Sequence, residues 1–122
     1  MKFIDQTTYG PLHGNCISAC VASILEVPID TVPFFVDENW RERFVGWLAD
    51  RGLAATELEN PPPGFSIAFG PSTRLAGRGH ACVARDGVIV HDPHPSREGL
   101  TIVTHYVVLH GLYGEPVWFN GV

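Results

Sequence analysis

The hydrophobic pattern near the start of the chain predicts a buried helix. From Cys16 to Glu26 the sequence reads CISACVASILE, in which nearly every position is apolar or small. A helix that is apolar nearly all the way round is typical of the interior of a domain. We expect it to begin directly after Asn15, a favoured N-cap residue, and to end before Pro28, whose ring would clash with the preceding turn.

A second helix is predicted from Glu38 to Arg51. Asp37 would be its N-cap residue and Gly52 its stop signal. Its large apolar residues recur at the i, i+4, i+7, i+8 spacing of one buried stripe, formed by Trp40, Phe44, Trp47 and Leu48. One face of this helix is therefore expected to pack against the core.

After the second helix the pattern changes to short apolar and β-branched runs, which are separated by segments rich in Pro and Gly. These runs predict strands at Leu53–Leu58, Phe65–Phe69, His80–Arg85, Val88–Asp92 and Thr101–His110. Helices come first and strands later, without βαβ alternation. The sequence therefore predicts an α+β fold in which a buried N-terminal helix packs against a mainly antiparallel sheet.

The composition indicates one domain, residues 1–122, with a well-filled core, because 45% of residues are hydrophobic and 17% are charged. The net charge of −5, without a Lys or Arg run, argues against nucleic acid and anionic membranes as partners. We expect a cytoplasmic protein that acts on a peptide, a protein or a small molecule, since neither a signal peptide nor a membrane span is evident. Three cysteines are an odd number, which favours reduced thiols. The oligomeric state stays open.

The start of the first predicted helix suits a reactive thiol. Cys16 would be the first helical residue, where backbone N–H groups have no partner within the helix and favour a negative charge. The helix dipole is worth at most about 2 kcal/mol, or roughly 1.5 pKa units, so alone it would not carry a thiol pKa from about 8.5 to well below 7. A cationic partner, most simply a histidine, is therefore needed.

Two predicted strands offer that histidine together with a carboxylate. His80 begins one strand, Asp92 ends the next, and an Asp-Gly pair between them is a strong hairpin signal. If the loop has three residues, 85–87, His80 would lie directly opposite Asp92, with Cβ atoms about 4.5–5.5 Å apart. A two-residue loop would place them on opposite faces. With the longer loop, the shared face would consist of His80, Cys82, Ala84, Val88, Val90 and Asp92.

These residues together supply the roles of a thiol hydrolase. Cys16 would be the nucleophile, His80 would take its proton and later protonate the leaving group, and Asp92 would fix the imidazole tautomer. The backbone N–H of Cys16 could donate to an oxyanion, and the amide of Gln6 is our candidate for the second donor. Such a site needs neither a cofactor nor a metal ion.

The same motifs resemble those of the papain-like cysteine peptidases, most closely the C39-like group and small bacterial and phage papain-like proteins. The resemblance lies in the upstream Gln6, in Asn15–Cys20 opening a helix, in Gly79–Val83 on a strand and in His91–Pro93 at the end of the next. In those families the glutamine usually lies closer to the nucleophile, where this chain has Gly10. The resemblance implies a papain-like fold and hydrolysis of a peptide or isopeptide-type amide bond through a thioester.

Other interpretations of these residues stay open. A buried cysteine on an apolar helix usually belongs to the core, and we expect that role for Cys20 and Cys82. Cys16 and Cys20, together with His80 or Asp92, would also offer ligands to zinc. A papain-like fold could act as a binding or inhibitory module without turnover, or the same triad could serve an acyltransferase.

The remaining aromatic and imidazole residues are assigned no catalytic role. We expect surface or strand positions for His13, His91, His94, His105 and His110. Trp118 and Phe119 would belong either to a packed tail or to a substrate wall.

Overall fold

The computed structural model describes residues 2–9, 14–35, 38–75 and 77–114. Within these ranges a short 3-10 helix, Ile29–Thr31, separates two α-helices, and strands follow. The elements are α1 (Cys16–Leu25), α2 (Trp40–Ala49), β1 (Leu53–Leu58), β2 (Phe65–Pro71), β3 (Gly79–Arg85), β4 (Val88–His91) and β5 (His105–Gly111). The residues His13, Asp37, Trp118 and Phe119, for which the sequence made predictions, lie outside the described residues.

The strands form one sheet in the order β1-β5-β2-β3-β4, and every neighbouring pair is antiparallel. Although β5 is the last strand along the described chain, it lies inside the sheet between β1 and β2. Two helices followed by an antiparallel sheet confirm the predicted α+β class. None of the helices in the described ranges combines the length and the apolarity that crossing a membrane would require.

Both helices pack against one face of this sheet. At its centre, Ile67 of β2 is the direct cross-strand partner of Val83 in β3 and of Val107 in β5, and all three are buried. α1 lies over β3 and β2 and is buried from Ser18 to Ile24. Because a buried aliphatic side chain contributes about 1.5–3 kcal/mol, this layer supplies most of the hydrophobic stabilisation. The predicted buried helix is confirmed.

A smaller apolar cluster lies on the opposite face of the sheet. Ala68, Ala84 and Tyr106 are buried there, and Leu100 and Val103 pack against them from the segment that follows β4. This segment therefore covers the second face of the sheet. It also begins with the residues that matter for the site described below.

The helices are slightly shorter than the sequence predicts. α1 ends one residue earlier, and Glu26 after it has a left-handed backbone (φ 55°). α2 covers Trp40–Ala49 instead of 38–51, and Asn39 occupies the position before it. Its predicted apolar stripe is confirmed, because the residues that pack into the core are Trp40, Phe44, Trp47 and Leu48.

The predicted strand 101–110 begins only at His105. The backbone N–H of Thr104 donates to the carbonyl oxygen of Phe69 (2.8 Å), and the N–H of Thr101 donates to that of Pro71 (3.0 Å). The chain thus crosses the end of β2 before it joins the sheet as β5. The β-branched run from Thr101 does not by itself indicate at which residue the strand begins.

Asn15 does not cap α1 with its side chain, contrary to the prediction. Its Oδ1 accepts hydrogen bonds from the N–H groups of Thr7 (3.0 Å) and Thr8 (3.1 Å), and its Nδ2 donates to the hydroxyl of Thr7 (2.9 Å). Asn15 therefore holds the N-terminal segment against the start of the helix. The side-chain bond that would have satisfied the first helical N–H groups is absent.

Gly70 in β2 provides a test of this packing. A Cβ atom at Gly70 would overlap with the carbonyl oxygen of Ile102, which belongs to the backbone and cannot rotate away. We expect Gly70→Ala to lower the free energy of unfolding by about 2 kcal/mol or more, as measured by urea denaturation.

Gly46→Ala in α2 is the matched control. Nothing lies within 4 Å of the added carbon, and alanine is favoured over glycine in a helix by about 0.8–1 kcal/mol. This variant should be as stable as the parent protein or more so. Equal losses of stability in both variants would contradict the close approach at Gly70.

Candidate active site

The β3–β4 hairpin closes with a two-residue turn, so the three-residue loop on which the predicted register depended does not form. Arg85 pairs with Val88, and the loop residues Asp86 and Gly87 both have positive φ (51° and 83°). Such a turn matches the right-handed twist of paired strands. On its own, this shorter loop would separate the histidine and the aspartate onto opposite faces of the sheet.

A bulge in β4 reverses that separation. Pairing passes from residues 84 and 89 to residues 83 and 91, which leaves Val90 as an extra residue. Val88 and Val90 were predicted to share a face with His80, but they are 66% and 40% exposed. In their place, Ile89 packs against the buried cluster of Ala68, Ala84 and Tyr106. Because of this extra residue, Asp92 lies on the same face of the sheet as His80 despite the shorter loop.

The bulge brings His80 and Asp92 together. Nε2–H of His80 donates to Oδ1 of Asp92 over 2.7 Å, and each side chain is only 4% exposed. The two residues are diagonal neighbours, because the last paired residue before Asp92 is His91, which lies opposite Val83. The predicted contact is confirmed, whereas the directly opposed register is wrong.

The carboxylate of Asp92 accepts two further hydrogen bonds. The backbone N–H of His94 donates to Oδ1 (2.9 Å) and that of Gly99 donates to Oδ2 (2.7 Å). Burial opposes ionisation, but the bonds from His80 and from these N–H groups outweigh it and hold the pKa of Asp92 below its usual value. The ionised carboxylate keeps a proton on Nε2 of His80, which leaves Nδ1 for another partner.

Cys16 is the first residue of α1, as predicted, and is partly buried. Burial raises the pKa of its thiol above the usual value, although the backbone N–H groups of Ala81 and Ile17 lie close to the sulfur and favour the thiolate. The lowered pKa expected at a helix start is therefore not reached in the resting protein. Among the described residues, no hydrogen bond joins the thiol to His80.

Two cavities meet at Cys16 and His80, and both residues line both cavities. The apolar cavity, of about 600 Å³, has a wall of stacked rings formed by Trp40, Phe69 and His105. The centroids of the Phe69 and His105 rings are 4.9 Å apart. A substrate bound across Cys16 and His80 would therefore have an apolar environment on one side.

The second cavity, of about 280 Å³, is polar. Its walls include Gln6, Asn15 and Ser72, together with the two arginines Arg74 and Arg78. The first turn of α1 also opens into it, through Cys16, Ile17 and Ser18. The candidate nucleophile thus lies between one apolar and one polar space.

Gln6 lines the polar cavity that Cys16 also lines. The residue is 5% exposed, its Nε2 donates to the carbonyl oxygen of Thr8 (2.9 Å), and its backbone N–H donates to that of Pro93 (3.0 Å). A carboxamide has two N–H protons, so the second one is still available for a ligand. Its Oε1 has no hydrogen-bond partner among the described residues.

Arg97 is a structural part of the site that the sequence did not suggest. Its guanidinium binds Asp5 through both carboxylate oxygens (2.6 and 3.0 Å) and donates to the backbone carbonyl of Asp92 (2.6 Å). It thereby joins the segment that carries Gln6 to the loop that carries the aspartate. No local motif marks this residue, because the carboxylate it binds lies 92 positions away.

Cys82 forms a buried group with His80 and Asp92, whose ligand atoms lie within 4.8 Å of one another. Burial, followed by the negative charge of Asp92, raises the pKa of the Cys82 thiol above its usual value. The residue is fully buried, so no substrate can reach its sulfur. It remains part of the interior, as does the fully buried Cys20.

The zinc site considered from the sequence is not assembled in the described residues. The group that forms contains neither Cys16 nor Cys20. Its carboxylate, that of Asp92, already accepts three hydrogen bonds. These residues fit a hydrogen-bonded imidazole–carboxylate pair better than they fit a metal centre.

No protein-family model matches this chain, and neither a curated protein nor a solved structure matches it.

The buried carboxylate gives a prediction about stability and pH. The pKa of Asp92 is lower in the folded protein than in the unfolded chain. Its ionised carboxylate therefore stabilises the fold fully above the unfolded-state pKa of about 3.9, and this stabilisation is lost as the pH falls through the folded-state pKa. We expect Asp92→Asn to lower the free energy of unfolding at pH 7 by about 2 kcal/mol. In urea denaturation series, this difference from the parent protein should shrink below about pH 4.

Asp30→Asn is the control, since Asp30 is exposed in the 3-10 helix. It should change the stability by less than about 0.5 kcal/mol across the same range. A difference between the Asp92→Asn variant and the parent that stays constant down to pH 2.5 would contradict the lowered pKa.

Proposed function

We propose that this chain is a small papain-like cysteine hydrolase in which Cys16 attacks a peptide or other amide carbonyl. One observation carries the proposal: Cys16 and His80 line the same two cavities, and the imidazole of His80 is hydrogen-bonded to Asp92. A thiol nucleophile needs a base, a group that orients the base, and space for a substrate. Cys16 on α1 is suited to be the nucleophile, His80 on β3 the base, and Asp92 directly after β4 the group that orients the base.

In the proposed reaction His80 is the base for Cys16. The bond to Asp92 occupies Nε2, so Nδ1 takes the thiol proton while the sulfur attacks the carbonyl carbon. The resulting imidazolium is stabilised by the ionised carboxylate. Nδ1–H then protonates the leaving amine, and a water molecule activated by the same nitrogen hydrolyses the thioester.

The developing oxyanion needs hydrogen-bond donors near the sulfur. The backbone N–H of Cys16 at the start of α1 is one, and the second amide proton of Gln6 is our proposal for the other. Because Gln6 is buried and its backbone and side-chain N–H groups each donate a hydrogen bond, its amide is held in place before a substrate arrives. Preorganised donors of this kind stabilise charge that develops only in the transition state.

One observation favours a second candidate, a binding module without turnover. Burial raises the pKa of the Cys16 thiol and so disfavours the thiolate before a substrate binds. In a hydrolase the proton would leave only as the bond to the carbonyl forms. In a binding module it would not leave at all, and this difference can be measured.

Alkylation separates the two candidates. We expect iodoacetamide at pH 7 to modify Cys16 before Cys20 and Cys82, because the latter two are fully buried. His80→Ala should slow alkylation of Cys16 by about tenfold or more, since a positioned base contributes roughly 10²–10⁴-fold in such reactions. Mass spectrometry of the digested protein identifies the modified residue and its rate.

Turnover of a fluorogenic peptide library provides the second measurement. Cys16→Ala should abolish cleavage, whereas Cys82→Ala, which removes the other thiol near His80 and Asp92, should retain it in protein that still folds. If all three cysteines react equally slowly and no peptide is cleaved, the hydrolase proposal is wrong. The binding module would then be the better account.

A variant of Gln6 tests the proposed oxyanion donor. Gln6→Ala should lower kcat by about 10²–10³-fold, the usual effect of removing one such donor. Alkylation of Cys16 by iodoacetamide forms no oxyanion, so its rate should change little. If both rates fall together, Gln6 only holds the N-terminal segment in place and does not act on the substrate.

A further inference from the structure

The loop before β3 carries two arginines that the proposed mechanism does not use. Arg74 and Arg78 line the polar cavity, and Arg78 lines the apolar cavity as well. The loop is closed by hydrogen bonds at its base: the N–H of Ser72 donates to the carbonyl oxygen of Arg78 (2.7 Å), and the Ser72 hydroxyl accepts from the N–H of Arg74 (3.2 Å). These hydrogen bonds tie the backbones of Arg74 and Arg78 to Ser72, six and two residues before His80.

Neither guanidinium has an ion-pair or hydrogen-bond partner among the described residues. Arg97 and Arg41 differ in this respect, because they contact Asp5 and Glu57. No aspartate or glutamate is found among the described residues that line the polar cavity, although the chain carries a net charge of −5. Positive charge is thus concentrated at one wall of the candidate site, where it attracts anions.

We propose that Arg74 and Arg78 bind a carboxylate of the substrate in the polar cavity. The planar guanidinium matches a carboxylate with two parallel hydrogen bonds. The inference rests on the proposed function, because it assigns this carboxylate to a substrate whose scissile amide lies at Cys16. The carboxylate is either the C-terminus of the leaving part or an acidic side chain of the acyl part, and both present the same chemistry.

Binding of a matched pair of small molecules tests the proposal without requiring catalysis. N-acetylglycine carries the carboxylate, and N-acetylglycinamide is its neutral counterpart. In ¹⁵N-HSQC titrations of the parent protein, the amide signals of Gly77 and Gly79 should shift with a Kd at least about fivefold lower for the carboxylate. High salt should remove this preference, because screening weakens exposed charge pairs.

The double variant Arg74→Gln/Arg78→Gln should lose the preference. Arg85→Gln is the control for a lost arginine charge outside the cavity, although it removes one positive charge and the double variant removes two. Arg85 ends β3, about 20 Å from Gly79 along the strand, and its variant should keep the preference. Equal affinities for the two molecules in the parent protein, or an unchanged preference in the double variant, would overturn the proposal. The variants are compared only after circular dichroism shows that they fold like the parent.

Alkylation distinguishes a failure of this inference from a failure of the proposed function. The ratio of the rates at which iodoacetate and iodoacetamide modify Cys16 should fall by about fivefold in the double variant and stay unchanged in the Arg85→Gln variant. If the carboxylate binds but Cys16 is inert, the hydrolase proposal fails and the anion site stands. If Cys16 reacts normally and the ratio is unchanged, the anion site fails alone.

The position of the carboxylate is then decided with substrates. Peptides with a free C-terminus and their C-terminal amides differ only on the leaving side, whereas peptides with Glu or Gln before the scissile bond differ only on the acyl side. In only one of these two pairs should the peptide that carries the carboxylate have the lower KM. The double variant of Arg74 and Arg78 should remove that difference. No advantage on either side would contradict the proposal.

Discussion

The site depends on the burial of one negative charge, that of Asp92. A buried carboxylate is costly unless hydrogen bonds replace its lost water, and here three donors do so: the imidazole of His80 and the backbone N–H groups of His94 and Gly99. Each donor restricts a different part of the molecule. The imidazole is fixed at the start of β3, and the segment after β4 is bent so that it returns over the second face of the sheet. The orientation of the imidazole and the course of this segment are therefore one property of the fold.

Hydrogen bonds connect the N-terminal segment and the start of α1 to the region around the buried pair of His80 and Asp92. Arg97 joins the loop around Asp92 to Asp5, and Pro93 accepts a hydrogen bond from Gln6, so the N-terminal segment lies across the loop. Asn15 binds the same segment from the start of α1. The helix, the sheet and the N-terminal segment thus converge on one point. No single element would hold Cys16, His80 and Gln6 near one another.

Much of this arrangement could be predicted from the sequence, because it follows from local patterns. The apolar run after Asn15, the stripe of α2 and the Asp-Gly hairpin signal each depend on neighbouring residues. The loop length and the bulge at Val90 could not be predicted in the same way, since several loop types accept Asp-Gly and a bulge has no strong signature. The predicted His80–Asp92 contact was right although the register behind it was wrong, because the shorter turn and the bulge cancel. The pKa of Cys16 and the bond between Arg97 and Asp5 depend on tertiary burial and distant contacts, which no local pattern contains.

The bulge at Val90 has a consequence for how this hairpin tolerates changes in length. Side chains alternate between the two faces of a strand, so the number of residues between the turn and Asp92 determines whether the carboxylate faces the imidazole or solvent. Losing a single residue there would turn the carboxylate away, whereas losing two would restore its direction with a shorter strand. The direction of the carboxylate therefore depends on whether an insertion or deletion in this hairpin is odd or even, and its distance from His80 depends on the number of residues.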